Sequence, residues 1–206
     1  MAYGIDAPWG LKPVMYLSGA PYTGATRTYP IADGYATAIY KYDPVISLSD
    51  GTIGIGVAGS AARGVFMGVK YTLSTGVYTF SPNWIASTNL LGTTNTAEAM
   101  IADDPDLVFD VQETDSTAGG AAGTGLLLAD VNLNINFVVR AGNTTTGISA
   151  VSINNESEAT TATLNLKILG LTPNETNKAA TTTVSFRNWL CAWNTHELKS
   201  VGTAGL

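Results

Sequence analysis

The sequence has one cysteine, one histidine and few charged residues. A single thiol, Cys191, cannot form an internal disulfide, so we expect packing and association to hold the fold and a reducing cytoplasm to suit it. Asp, Glu, Lys and Arg make up 13% of the chain, about half the ~25% usual for soluble domains. Much of the surface must therefore be neutral, and such a surface loses little solvation energy when a partner covers it.

Basic runs and long apolar runs are also missing. The net charge is -6, and no run of Lys and Arg could bind a phosphate backbone or an anionic membrane surface. No stretch approaches the roughly 18 apolar residues of a spanning helix, and the start lacks the basic and apolar regions of a secretory signal. We therefore expect no nucleic acid and no membrane as partners, and synthesis in a cytoplasm.

Side chains that could carry catalysis or bind a cofactor are few. One histidine, His196, and one cysteine cannot supply a usual zinc site, and no nucleophile motif accompanies them, so we interpret His196 as a surface or interface residue. The pattern GxGxxG occurs at Gly54, Gly56 and Gly59. A strand pattern follows it where a dinucleotide site needs a helix, so we interpret these glycines as loop or bulge positions.

The densest acidic cluster contains Asp103, Asp104, Asp106 and Asp110. Carboxylate oxygens are calcium ligands, but the spacing is not that of an EF-hand loop. Aspartates around Pro105 are ordinary turn chemistry. We expect no catalytic, cofactor or metal site, and calcium at this cluster stays an open alternative.

Short apolar or alternating runs divided by turn residues follow the first 34 residues, and their length and composition predict strands. These runs are Tyr35 to Tyr42, Val45 to Leu48, Val65 to Leu73 and Val77 to Phe80. Gly76 lies between the last two and suits a hairpin turn. A glycine-rich stretch, Thr117 to Gly125, is typical of a loop.

Strict alternation appears in three later runs, LVFDVQE (107–113), VNLNINFVV (131–139) and TATLNLKIL (161–169). Alternation gives a strand one apolar and one polar face, which is typical of antiparallel sheets. We therefore predict an all-β fold, an antiparallel β-sandwich or jelly-roll-like barrel.

Residues 1–34 contain four prolines and five glycines with aromatic residues between them. This composition nearly excludes helix and predicts an extended N-terminal arm on a single β domain of residues 35–206. The rings either anchor the arm to a partner or fold back on to the domain's own core. The candidate partner contacts, including two tryptophans near the C-terminus, are Trp9, Tyr16, Tyr22, Tyr29, Trp189 and Trp193.

Five segments, in order along about half of the chain, carry a resemblance to a known family. They are GLKPVMYLSGAPYTGATRTYPI, YATAIYKYDPVISLSDG, DDPDLVFDVQE, TTATLNLKILGL and RNWLCAWNTHEL. With these segments the chain resembles the head decoration, or cement, proteins of tailed bacteriophages, particularly those of short-tailed phages. It departs from the family at Tyr42, since the family typically has a glycine before the Asp-Pro pair found here at Asp43 and Pro44.

The resemblance implies a structural subunit of the virion and no enzyme. Such a subunit is usually a homotrimer that sits on the outside of the capsid and clamps neighbouring copies of the major capsid protein. The residues leave two other functions open. One is another virion element, such as a tail, a fibre or a spike base, and the other is a carbohydrate-binding module whose exposed rings stack on sugars.

Overall fold

A computed structural model describes residues 5–92, 96–114, 125–173 and 186–199. Across these ranges the secondary structure is thirteen β-strands and one 3-10 turn at Leu128–Asp130. The predicted all-β class is confirmed. None of the described segments forms a helix with the length and hydropathy needed to cross a membrane.

The strands are β1 (Lys12–Tyr16), β2 (Arg27–Ala32), β3 (Pro44–Ser47), β4 (Ile53–Ile55), β5 (Gly64–Thr72), β6 (Tyr78–Ser81), β7 (Thr96–Ala102), β8 (Leu107–Thr114), β9 (Asn134–Ile135), β10 (Phe137–Val138), β11 (Ser152–Asn154), β12 (Leu166–Leu171) and β13 (Asn188–Trp193). The predicted strands at 45–48, 65–73 and 77–80 correspond to β3, β5 and β6. Gly76 has φ 86° between β5 and β6, which confirms the predicted hairpin. Of the predicted glycine-rich loop, residues 117–124 lie outside the described residues.

The first sheet has the order β10-β11-β8-β13-β12-β9, with β1 also paired to β8. Strand β8 is its centre: it runs antiparallel to β1 and β13 and parallel to β11. The parallel pair departs from the antiparallel pairing that the alternation predicted. Because β8 has neighbours on both sides and is covered on both faces, its polar residues Gln112, Glu113 and Thr114 are buried.

The second sheet has the order β2-β7-β5-β3-β4, with β6 also paired to β5, and every pair is antiparallel. Its end strands β2 and β4 approach each other, so the sheet is nearly closed into a barrel. Closure protects strand edges that would otherwise stay open. Strand β6 lies beside β5 outside this path.

Each sheet has its own hydrophobic core. The first core contains Phe109 and Trp193, whose rings meet edge to face with centroids 4.9 Å apart. The second fills the barrel, where Tyr71 and Trp84 meet at 5.6 Å. Strand β5 contributes Val65 to the first core and other residues to the second, so it ties the two sheets together.

The N-terminal segment is extended, as predicted, but its described part is not a separate arm. Leu11 is fully buried in the first core. Strand β1 pairs with β8 in the first sheet, and β2 pairs with β7 in the second. Of the two alternatives for this segment, residues 5–34 follow the second and fold on to the domain itself.

Two predicted strands are shorter than expected or absent, and each run has a non-glycine residue with a positive φ near one end. Tyr42 has φ 77°, and residues 35–42 make only isolated bridges, from Ile39 to Trp84 and from Lys41 to Ile148. In the run 131–139, the backbone turns at Asn132, where φ is 75°. Residues 131–133 are therefore outside the strand, because L-residues cannot continue an extended strand through this region. The rest of the run forms β9 and β10, which pair with different strands, β12 and β11.

Candidate functional site

Trp189 and Trp193 lie inside the first core, 0% and 2% exposed. Both belong to β13, which has β8 on one side and β12 on the other. Their indole rings offer no free face to another protein. The prediction that these two rings contact a partner is therefore corrected, since they hold the first sheet's core instead.

The four N-terminal aromatic residues are half-buried and engaged within the chain. The indole N–H of Trp9 donates to the Asp110 carbonyl oxygen at 3.1 Å. The rings of Tyr16 and Tyr22 meet edge to face at 6.2 Å and pack on the first core. Tyr29 packs on the second core, so the four rings do not form one surface, and partner contact through their exposed edges stays a prediction.

Two aromatic side chains that the sequence analysis left unassigned are exposed on β6. Tyr78 and Phe80 are each 67% exposed, and Val77 before them is 56% exposed. Because side chains alternate along a strand, Tyr78 and Phe80 point to the same face. Thr72 and Lys70 of β5 lie directly opposite these two residues. We call this patch the β6 surface, defined by Lys70, Thr72, Val77, Tyr78, Phe80 and Glu98.

An ion pair on the β6 surface joins Lys70 to Glu98. Their Nζ and Oε2 atoms are 2.7 Å apart, and the side chains are 39% and 56% exposed. The pair raises the pKa of Lys70, first through the hydrogen bond and then through the charge of Glu98. A shallow groove lined by Lys70, Thr72, Tyr78 and Glu98 lies beside the pair. The β6 surface is thus apolar rings flanked by mutually compensated charges.

Strand β6 also has an open edge. It pairs with β5, and across the described segments no strand pairs with its other side. An open edge offers backbone donors and acceptors to a partner segment, which can add as a further strand. Exposed rings and an open edge together fit contact with another protein chain.

The acidic cluster does not converge on one point. Asp103 is buried and accepts hydrogen bonds from Arg27 at 3.0 Å and from the Tyr29 hydroxyl. Asp104 accepts the Asp106 N–H at 2.8 Å, which is the predicted turn chemistry. In the part of the chain that the structure covers, no group of three His, Cys, Asp or Glu side chains could hold a metal ion.

The remaining sequence candidates are structural. His196 is 2% exposed, so its interpretation as a surface residue is wrong. Its Nδ1 atom accepts the Leu198 N–H at 3.1 Å, and burial lowers its pKa. Gly54 lies in β4 against the Tyr35 hydroxyl, where a Cβ would come within 2.6 Å. A strand and no helix follows this glycine run. Gly56 and Gly59 lie in the loop after β4, as predicted, whereas Gly54 lies within the strand.

Comparison of the chain with protein-family models, curated proteins and solved structures gave no match in any of the three. Its function is therefore best judged from its own surfaces. Among them, the β6 surface combines the largest exposed rings with an open strand edge.

Proposed function

We propose that this chain is a structural virion protein that binds the outside of a phage capsid and holds neighbouring major capsid subunits together. The observation that carries the proposal is the 67% exposure of both Tyr78 and Phe80 on one face of β6. Aromatic rings gain free energy when a partner removes them from water, and they dominate the energetics of protein interfaces. A chain that keeps two such rings exposed side by side is suited to burying them against another protein.

Low charge supports the same proposal. Charged residues are 13% of the chain, and the exposed Lys70 and Glu98 already neutralise each other on the β6 surface. Few ions have to lose water when a neighbour covers the patch, so the apolar contact is not offset by a large desolvation cost. The family resemblance supplies the class of partner, the major capsid protein, and self-association as a homotrimer.

The mechanism that follows is mass action. A decoration subunit that binds only the assembled lattice stabilises that lattice by its differential affinity for the two states. Several modest contacts per particle then act at high effective concentration. In this proposal the open edge of β6 pairs with a capsid segment while Tyr78 and Phe80 pack against it.

Co-sedimentation with capsids tests the proposal. The probe is heads of the phage that encodes the chain, prepared without decoration protein. We expect the wild-type chain to sediment with the heads at a fixed ratio and the double variant Tyr78→Ser/Phe80→Ser to stay in the supernatant. Val139→Ser is the matched control, because Val139 is a 43% exposed apolar residue next to β10 of the first sheet.

The double variant should keep the fold, because surface substitutions usually change stability by less than about 0.5 kcal/mol. Circular dichroism and light scattering of each variant check the fold and the trimer. Undiminished binding of the double variant would overturn the assignment of the β6 surface. Failure of the wild-type chain to bind heads would overturn the capsid proposal itself.

A carbohydrate-binding module is the second candidate, and one observation favours it. The groove beside Tyr78 is lined by Thr72, Thr96 and Glu98, and a ring beside polar groups suits a sugar. All four tryptophans, however, are buried or half-buried, so the strongest stacking residues are not at this surface. A glycan array separates the two functions: signal that disappears in Tyr78→Ser supports the module, and a blank array opposes it.

A further inference from the structure

A second surface feature, unrelated to β6, is an acidic cleft beside the 3-10 turn. One wall is the backbone and side chains of residues 125–127, and the other is the loop that follows β11. The polar side chains that line it are Asp130, Asn155, Glu156 and Glu158.

Asn155 is the unusual member of this group. It is 3% exposed, yet neither its Oδ1 nor its Nδ2 atom has a hydrogen-bond partner. Its backbone N–H is satisfied, since it donates to the Thr114 carbonyl oxygen at 2.9 Å. Buried amide groups in native proteins nearly always have partners, because an unmade bond costs free energy. A buried amide that lines a cleft and has no partner within the chain is therefore available to bind a ligand.

The charge around the amide indicates what kind of ligand. The side chains of Asp130, Glu156 and Glu158 make the lining of the cleft acidic. The Oε2 atom of Glu158 is itself buried without a hydrogen-bond partner. Acidic side chains that share a cleft with an unpartnered amide oxygen favour a cation over a neutral or negative molecule.

The cleft is held in place from inside the fold. The N–H of Leu126 donates to the buried Glu113 carboxylate at 2.7 Å, and the carbonyl oxygen of Leu126 accepts from the Arg187 guanidinium at 2.7 Å. At the 3-10 turn, Asp130 accepts the Leu127 N–H at 2.7 Å through Oδ2. These bonds fix the wall before a ligand arrives, which lowers the entropic cost of binding.

We propose that this cleft is a calcium site, with the Asn155 amide oxygen and the Glu158 and Asp130 carboxylates as ligands and water completing the coordination. Oxygen-only donors suit calcium, whereas zinc and copper favour nitrogen or sulfur. Among the residues that the structure describes, no three His, Cys, Asp or Glu side chains are grouped so that they could hold a metal ion, so the cleft offers two carboxylates and one amide. Few protein ligands place the affinity in the weak class, with a dissociation constant of about 10⁻⁴–10⁻³ M.

Thermal unfolding of the full chain at pH 7.5 tests the site, with 10 mM CaCl₂ compared against NaCl of equal ionic strength. We expect calcium to raise the melting temperature of the wild-type chain by about 3 °C over the salt control. MgCl₂ should do less, because magnesium demands a stricter geometry and gives up its water reluctantly. Equal effects of all three salts would mean that only general screening occurs, and would overturn the proposal.

Variants assign the response to the cleft. Glu158→Gln should weaken calcium binding about tenfold by calorimetry, because it removes a charged ligand. The same variant removes one of the negative charges in the cleft, so it should fold normally without calcium. Asn155→Asp keeps the shape and the oxygen and should bind calcium more tightly than the wild-type chain. Asp106→Asn, at a 59% exposed acid just before β8, is the control and should respond like the wild-type chain. A wild-type response in Glu158→Gln would contradict the site.

Discussion

The buried carboxylate of Glu113 accepts the backbone N–H of Leu126 at 2.7 Å. Its other oxygen accepts the backbone N–H of Arg187 at 3.2 Å. Burial raises the pKa of Glu113 to about 7, although both hydrogen bonds and the charge of Arg187 act to lower it. One side chain of β8 thus ties the start of β13 to the wall of the acidic cleft, and it holds a proton more readily than an exposed glutamate.

This raised pKa gives the first prediction, a pH dependence of stability. Between pH 4.5, the ordinary pKa, and about 7, the folded state binds more protons at Glu113 than the unfolded state does. The contribution of Glu113 to stability is therefore full below pH 4.5 and is lost as the pH rises through 7. Glutamine cannot ionise, so Glu113→Gln should gain stability relative to the wild-type chain between pH 5 and pH 8.

Urea unfolding at pH 5, 6.5 and 8 measures this difference. Burial also raises the pKa of Asp43, to about 7, so Asp43 likewise makes stability fall as the pH rises. The pKa of His196 is lowered, so His196 makes stability rise with pH. Both residues are present in both proteins, so their contributions cancel in the comparison. A constant difference in unfolding free energy across the three pH values would contradict the raised pKa of Glu113.

The second prediction concerns the backbone at Tyr42. Its φ of 77° lies in the left-handed region, which costs an L-residue about 1–2 kcal/mol and glycine almost nothing. Tyr42→Gly and Tyr42→Ala both lose the ring contacts with the first core, so their difference reports the backbone alone. We expect the glycine variant to be the more stable by about 1 kcal/mol in chemical denaturation.

The same pair of substitutions at Tyr78 is the control, since Tyr78 is in an ordinary strand. There alanine should be the more stable, because glycine loses more conformational freedom in a strand. An alanine advantage at both positions would mean that the backbone at Tyr42 is not strained.

The sequence predicts those parts of this fold that local interactions determine. Alternation is local, so β3, β5 and β6 were predicted close to their observed bounds. The turn at Asn132 was not, because the run 131–139 alternates through it without a break. Nor does a sequence show that Asn134 is buried in the strand pair with β12, where its side-chain amide donates to the Thr161 carbonyl oxygen.

The exposed aromatic residues are harder to predict than the fold. Alternation reveals that a strand has two faces without saying what covers each. Trp189 and Trp193 lie on β13, which has neighbours on both sides, whereas Tyr78 and Phe80 lie on β6 at an open edge. The number of neighbours of a strand depends on pairing between distant segments, so ring type alone does not show which aromatic residues are buried and which are exposed. The acidic cleft likewise joins two loops that are separate in sequence.

The third prediction tests the corrected position of the tryptophans. Trp189 is fully buried, so Trp189→Ala should lower the unfolding free energy by about 3–5 kcal/mol through lost burial and the cavity left behind. Phe80→Ala, at 67% exposure, should change it by less than about 0.5 kcal/mol. Urea denaturation of the two variants measures both values. A similarly small loss of unfolding free energy in both would contradict the burial of Trp189.

The last prediction concerns the attachment of the N-terminal segment. Arg140 donates to both carboxylate oxygens of Asp6 at 2.8 Å, and this bond lowers the pKa of Asp6. Two parallel bonds to a partly buried carboxylate are stronger than a single surface contact, so Asp6→Asn should lower the unfolding free energy by about 1 kcal/mol. Because the pKa of Asp6 is lowered, the wild-type chain should lose this contribution only as the pH falls below about 3.8.

Hydrogen exchange at the Ala7 amide reports the attachment directly, since this N–H donates to the Gln112 side chain at 2.9 Å beside the ion pair. Exchange should be faster in Asp6→Asn than in the wild-type chain. Arg140→Lys keeps the charge but loses the two-pronged geometry, so its exchange rate should be intermediate. If both variants exchange at the wild-type rate, the bonds of Gln112 alone hold the segment, and the ion pair contributes nothing to its attachment.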